Sequence, residues 1–112
     1  MLEIRERQVG GKTVVALIGD FTTPDVSTAQ HKLLDHLARS PTLIVDLSEM
    51  TYVASAGVAL FVKLGNRARA RGGRLILAQP RRPVQDTLAV LRLTSHDLIF
   101  QISPTVEDAL KI

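Results

Sequence analysis

The sequence predicts one α/β domain in which a mixed, mostly parallel sheet of about five strands, opened by a β-hairpin, packs with four helices. Three observations lead to this class. The 112 residues suit a single domain over residues 1–112. The 46% of hydrophobic residues can supply a core. Apolar runs alternate with helical periodicities, which predicts the element order β-β-α-β-α-β-α-β-α.

The N-terminal part of the chain predicts the β-hairpin. Leu2–Val9 and Thr13–Ile18 are typical of strands. Between them, Gly10–Gly11 can adopt the positive backbone angles of a two-residue turn. The segment Gly11-Lys12-Thr13 matches the end of a phosphate-binding loop, but Glu6 stands where that motif needs glycine. We therefore interpret it as part of the hairpin.

A helix and a central strand are expected next. Thr23 suits the N-cap of the first helix and Pro24 its first helical position. Its core face follows a 3–4 spacing and comprises Val26, Ala29, Leu33, Leu34 and Leu37. Ser40–Pro41 ends this helix. The apolar run Leu43–Leu47 then predicts a buried parallel strand.

The second half of the chain continues the alternation. The expected elements are a helix from about Ala56 to Arg71, a strand over Arg74–Ala78, a helix after Pro83, a strand over Leu98–Ile102 and a terminal helix capped by Ser103–Pro104. The core face of the second helix comprises Gly57, Leu60, Phe61, Leu64 and Ala68.

Composition excludes several functional classes. The chain has no cysteine, so it has no disulfide, thiol nucleophile or thiolate metal site. No run approaches the roughly 18 apolar residues of a membrane span. The N-terminus alternates charged and apolar residues, unlike a signal peptide. We expect a cytoplasmic protein that does not insert into membranes.

Histidines and basic residues are the candidates for binding a metal ion or a nucleic acid. His31 and His36 are five residues apart and point in different directions on a helix, so with His96 they predict exposed side chains, no metal and no cofactor. Lys63, Arg67 and Arg71 follow an i, i+4, i+8 line, typical of a solvated helix face. Nucleic-acid binding is the alternative, but one Tyr and three Phe leave few stacking platforms, so we expect no nucleic-acid partner.

The most informative stretch is Val53-Ala54-Ser55-Ala56-Gly57, at a predicted strand–loop–helix junction. It is similar to the G-x-S-x-G turn of hydrolases, with Val53 in place of the first glycine. A catalytic triad and an oxyanion hole need more loops than this chain offers. We therefore expect no catalytic residue and no enzyme activity.

Ser55 has two interpretations at this junction. It suits a helix N-cap whose hydroxyl accepts hydrogen bonds from the amides of Gly57 or Val58. A helix N-terminus also tolerates an anionic group, so a phosphate on Ser55 would be accepted locally. That phosphate would change a surface lined by Tyr52 and small apolar residues, and would abolish docking there.

The segment Val45–Leu60, VDLSEMTYVASAGVAL, resembles the signature of STAS domains, the anti-sigma-factor antagonist family. Ala68–Leu77 is similar to the helix end and next strand of that family. The opening hairpin, Leu17–Phe21 and Val84–Leu93 fit as well. The resemblance covers essentially the whole chain and implies a single STAS-like domain.

The resemblance implies a bacterial partner-switching cycle that regulates transcription. The unmodified antagonist binds an anti-sigma factor that is also a serine kinase, which phosphorylates the antagonist and releases it until a serine phosphatase restores it. Ser55 matches the phospho-acceptor of this family, whose antagonists act as monomers. The implied partner-binding residues are Asp20, Phe21, Thr22, Thr23, Tyr52, Val53, Ala54, Ala56 and Gly57.

Two departures from the family pattern support a rival interpretation. Ala54 replaces the usual aspartate before the acceptor, and Ala56 replaces the usual Ser or Thr after it. In the rival, Ser55 is only a helix cap. The chain would then be a constitutive STAS subunit of a signalling scaffold or of a lipid or anion transporter.

Overall fold

The computed structural model describes residues 2–94 and 100–112. Its elements are β1 Glu3–Val9, β2 Lys12–Phe21, a 3-10 turn Thr23–Asp25, α1 Val26–Arg39, β3 Leu43–Asp46, β4 Met50–Val53, α2 Ser55–Ala70, β5 Leu75–Ala78, α3 Arg82–Thr94, β6 Gln101–Ser103 and α4 Val106–Leu110. The predicted α/β class is therefore confirmed. The described residues form six strands, one more than the expected count of about five, because Met50–Val53 forms the additional strand β4.

The sheet has the order β1-β2-β3-β5-β6. Strands β1 and β2 form the predicted antiparallel hairpin, with Gly10 and Gly11 at positive φ in the turn. The pairings β2–β3, β3–β5 and β5–β6 are all parallel. Leu98 and Ile99 of the predicted last strand lie outside the described residues.

Strand β2 is long enough to pair with two different strands, one after the other along its length. Residues Val14–Ala16 pair with β3, whereas Gly19–Phe21 pair in parallel with β4. Within the segment paired with β4, the register shifts between Gly19 and Asp20. Strand β4 exists because the far end of β2 extends beyond β3 and leaves backbone groups to be paired.

The core lies on both faces of the sheet. On one face, alternate residues of the central strands pack against α1, α2 and α3, including Leu17, Val45 and Leu77. On the other face, Ile44 and Ile76 pack against Ala109 of α4. Strands β3 and β5 are consequently buried on both sides, as the apolar run Leu43–Leu47 predicts.

Two predicted helix caps were placed one or two residues away from their true positions. Thr22, and not Thr23, precedes the first helical turn, and its amide and hydroxyl both donate to Asp25 Oδ2, at 2.9 and 2.7 Å. These two hydrogen bonds lower the pKa of the Asp25 carboxyl. At the start of α4, Thr105 accepts a hydrogen bond from the Asp108 amide, so Ser103–Pro104 is not the cap.

The histidines are placed differently from one another. His31 is exposed, as expected. His36 is half-buried, and its Nε2 lies 3.1 Å from Glu6 Oε2 on β1, so the prediction of an exposed side chain was wrong for this residue. His96 lies outside the described residues. Within residues 2–94 and 100–112 we find no cluster of His, Asp or Glu suited to a metal ion and no helix long and apolar enough to cross a bilayer.

Candidate functional site

The predicted site residues converge where β2 and β4 end and α2 begins. Asp20 pairs with Tyr52, and Phe21 pairs with Val53. We call the surface formed by Asp20–Thr23 and Tyr52–Gly57 the β2–β4 edge. The two sequence segments singled out for docking are thus neighbours in space, because the parallel pairing places both strand ends at one side of the sheet.

Ser55 is not the N-cap of α2. The N-cap is Ala54, which is extended at φ −77° and ψ 161°, and its carbonyl accepts hydrogen bonds from the amides of Gly57 (2.9 Å) and Val58 (3.1 Å). The Ala54 amide donates to the Phe21 carbonyl at 2.9 Å. This bond prolongs the β2–β4 pairing by one residue and keeps Ala54 extended. Because Ala54 is the N-cap, α2 starts at Ser55, one residue earlier than a serine cap at position 55 predicts.

The Ser55 hydroxyl is consequently available. Ser55 is exposed on the first turn of α2. Its hydroxyl has no hydrogen-bond partner among the residues that the structure describes. A nucleophilic oxygen that is neither buried nor bonded can be reached by another protein without unfolding the edge.

Three of the predicted partner-binding residues lie beneath the surface. Phe21 is fully buried, Val53 is 5% exposed and Gly57 is also buried. The Phe21 ring packs on Phe61 with centroids 5.8 Å apart. A Cβ atom on Gly57 would lie 2.9 Å from Phe21 Cδ2 and 2.9 Å from Val53 Cγ2. These residues support the edge from below, and their side chains are not part of its accessible surface.

The accessible part of the edge is small and mostly uncharged. Asp20, Thr23 and Tyr52 are exposed, and Tyr52 keeps 52% of its surface in solvent. Thr22, Ala54 and Ala56 are half-buried. An exposed aromatic side chain beside small residues is typical of a protein-binding surface.

Thr51 is a site residue that the sequence did not reveal. Its hydroxyl donates to Asp20 Oδ1 at 2.5 Å and so ties β4 to β2 across the edge. This bond depends on the register shift between Gly19 and Asp20, for which the sequence has no signal. The Asp20 carboxylate is therefore held by Thr51.

A buried carboxylate holds the loop that leads into β4. Asp46 is 6% exposed, and its Oδ1 accepts a hydrogen bond from the Ser48 amide at 2.9 Å. Its Oδ2 lies 3.3 Å from Arg7 Nη1 on β1. The loop from β3 to β4 is thus tied to the hairpin, which positions Tyr52 and Ser55 farther along the chain.

Known proteins of similar fold share this arrangement of elements. A candidate anti-sigma factor antagonist from Thermotoga maritima superposes with a TM-score of 0.80 at 19% identity, over 96% of this chain and 92% of that chain. An anti-sigma factor antagonist from Mycobacterium paratuberculosis gives 0.79 at 22% identity, over 99% and 92%. The phosphorylated form of SpoIIAA, the Bacillus cell fate determinant, gives 0.74 at 20% identity, over 97% of each chain. At these identities the three structures establish the fold.

The family is established by sequence. A family model described as "Mlab, STAS domain" matches residues 4–100, from the second residue of β1 to the residue before β6. The match includes every residue of the β2–β4 edge. The chain therefore belongs to the STAS domain family.

Proposed function

We propose that this chain is an anti-sigma-factor antagonist, a protein-binding switch that docks through the β2–β4 edge and is released by phosphorylation of Ser55. The observation that carries the proposal is the exposed, unbonded hydroxyl of Ser55 on the first turn of α2, within the described part of the chain. It lies on the same edge as the exposed Tyr52 side chain. One edge thus combines a surface for a partner with a group that can be modified.

A phosphate on Ser55 would change binding much more than folding. It adds about 1.5 to 2 negative charges at neutral pH. The N-terminus of α2 carries a partial positive charge that accepts such a group. A partner packed against Tyr52 and Ala54 would instead have to bury the phosphate, and the desolvation cost and loss of fit would separate the two proteins.

The kinase must supply the acid–base chemistry. In the transfer, Ser55 Oγ attacks the γ-phosphorus of ATP, a new P–O bond forms, the bond to ADP breaks and the hydroxyl proton passes to a base. Ala54 and Ala56 provide no carboxylate beside the hydroxyl, and Asp20 is held by Thr51. The base and the metal-bound ATP therefore belong to the partner, an anti-sigma factor with serine kinase activity, and a serine phosphatase would reverse the step.

Intact-mass measurement tests this proposal. The chain is incubated with ATP and the purified anti-sigma factor kinases of the organism that encodes it. Wild type should gain the mass of one phosphoryl group and Ser55→Ala should gain none. The matched control is Ser27→Ala, which removes another exposed serine near a helix start and should leave the mass gain unchanged. Absence of a gain in wild type, with a known antagonist phosphorylated in parallel, would refute the switch.

A constitutive STAS subunit is the second candidate. The apolar neighbours Ala54 and Ala56 favour it, since they leave Ser55 without the polar surroundings usual for the acceptor in this family. Ser55→Asp distinguishes the two functions. A switch predicts that it weakens partner binding by about 5- to 150-fold. A constitutive subunit of a scaffold or transporter predicts that affinity stays within about twofold of wild type, well below such couplings.

A further inference from the structure

Helix α2 and the segment after it carry a block of positive charge with no acid among it. From Met50 to Gln85 the sequence contains one lysine and six arginines and no Asp or Glu. All seven are exposed, and they are Lys63, Arg67, Arg69, Arg71, Arg74, Arg81 and Arg82. The rest of the chain has more acidic than basic residues. The net charge of +3 is therefore the sum of a strongly basic segment and an acidic remainder.

Nothing in the described part of the chain neutralises this block. The ion pairs there all lie outside it and join Arg5 to Glu3, Arg7 to Asp46, His36 to Glu6 and Arg39 to Asp35. Among residues 2–94 and 100–112, the hydrogen bonds found for Arg71 and Arg81 run to backbone carbonyls, those of Ala38 and Ser48. Cations held close together without counter-charges repel one another, so an acidic partner would relieve this repulsion.

Part of the block continues directly from the β2–β4 edge. Lys63, Arg67 and Arg71 are four residues apart along α2, which separates them by about 6 Å each along the axis. Lys63 lies about 12 Å along the helix from Ser55. A standard interface buries about 800 Å² on each partner, which corresponds to a patch of roughly 16 Å radius. A partner centred on Ser55 therefore covers Lys63 and meets Arg67 at its rim.

We propose that Lys63 and Arg67 form a basic face that docks an acidic patch on the same protein partner. The inference rests on the proposed function, because it extends the interface centred on Ser55. It specifies the chemistry of the partner, which must present several carboxylates at one side of its contact with the β2–β4 edge.

The surroundings of the basic face favour a protein over a membrane or a nucleic acid. Among described residues, the exposed large apolar side chains are Tyr52, Val90 and Ile112, and none lies on α2. The face therefore has no apolar side chain to insert into a bilayer and no aromatic ring on which a base could stack. The acid excess elsewhere on the chain also repels extended polyanions, whereas a local acidic patch meets only the basic face.

Charges at the rim of an interface act chiefly on the association rate. They steer the partner toward the correct orientation, and salt suppresses this steering. We therefore expect a basic face of this kind to raise the association rate constant at low salt by about tenfold. The dissociation rate constant should change little, because the rim stays hydrated.

Stopped-flow binding to the anti-sigma factor kinase tests the inference. Lys63→Glu/Arg67→Glu reverses two exposed residues for which no hydrogen bond is found within the described part of the chain. Lys32→Glu/Lys111→Glu is the matched control, because it changes the net charge by the same amount at two exposed lysines that do not belong to α2. Circular dichroism verifies that both variants fold. Association is measured at about 50 mM and about 500 mM salt, where screening differs severalfold.

We expect the first variant to associate about tenfold more slowly at low salt, the control within twofold of wild type, and all three proteins alike at high salt. Equal rates for the two variants, with tight binding by wild type, would overturn the basic face and leave the proposed function standing. Failure of wild type to bind would overturn both. A short DNA duplex and vesicles with about one third phosphatidylserine are tested in parallel. Tighter binding to either than to the kinase would overturn the assignment to a protein.

Discussion

Gly57→Ala tests whether close packing beneath α2 holds the β2–β4 edge in place. The new Cβ would lie 2.9 Å from one carbon each of Phe21 and Val53. Carbon atoms in packed interiors are usually about 3.5–4.0 Å apart, so at least one neighbour must move. Phe21 is fully buried and Val53 is 5% exposed, so neither side chain can turn into solvent.

Two free-energy terms oppose each other in this variant. Replacing glycine by alanine within a helix stabilises it by about 0.8–1.0 kcal/mol. Inserting a methyl group into a filled core costs about 1–3 kcal/mol. Because Phe61 packs against the Phe21 ring, the upper half of that range applies. The net loss of unfolding free energy should be about 1–2 kcal/mol, or a fall in Tm of roughly 4–10 °C.

Urea unfolding followed by circular dichroism measures this loss. Ala59→Gly is the matched control, since Ala59 is exposed on the same helix and its variant isolates the propensity term. We expect the control to lose about 1 kcal/mol. If Gly57→Ala instead raised the free energy of unfolding by the amount that the control loses, the new methyl group would lie in open space. The packing argument would then be wrong.

Two further predictions concern stability elsewhere in the fold. Gly73→Ala should lower the free energy of unfolding by about 3 kcal/mol or more, because its Cβ would lie 2.0 Å from the Pro41 carbonyl oxygen. A small change in the midpoint of urea unfolding would refute this close approach. Hydrogen bonds from Thr22 lower the pKa of Asp25, so its ionised form stabilises the fold above the usual carboxyl pKa near 3.9, and this contribution fades as pH falls through the lowered pKa. Asp25→Asn should therefore be less stable than wild type at pH 7 by a margin that narrows below about pH 4. A margin independent of pH would contradict the assignment.

The elements predicted correctly are those that follow from the residues within one strand, turn or helix. The hairpin turn at Gly10–Gly11, the buried strand at Leu43–Asp46 and the core face of α2 all follow from local composition and periodicity. Strand β4 could not be predicted in this way. Its sequence, Met50–Val53, is buried only at its two ends, and it becomes a strand because the far end of β2 needs a neighbour.

The pairing of β2 with β4 also explains why the prediction of Ser55 as N-cap of α2 was wrong. Residue preference favours serine as N-cap over alanine. The Ala54 amide is instead bonded to the Phe21 carbonyl, which keeps Ala54 extended and makes it the cap residue. The two segments predicted to dock a partner lie side by side in the structure, and their role in docking stays a prediction. The burial of Phe21 and Val53 depends on tertiary packing, such as that of Phe21 on Phe61, which the sequence does not show.

Because Ala54 and not Ser55 caps α2, the effect of a charge on Ser55 on partner binding can be separated from its effect on the stability of the fold. Ala54 has no side-chain oxygen to satisfy the first amides of α2, so this helix start lacks the capping hydrogen bond that a serine there would supply. A negative charge at Ser55 should then stabilise α2 by about 0.3–1 kcal/mol through the helix dipole. Ser55→Asp is accordingly expected to unfold at the same or a higher urea concentration than wild type while binding the kinase more weakly. If Ser55→Asp lost stability and affinity together, the weaker binding would reflect damage to the fold. Opposite changes require that the charge acts on the interface itself.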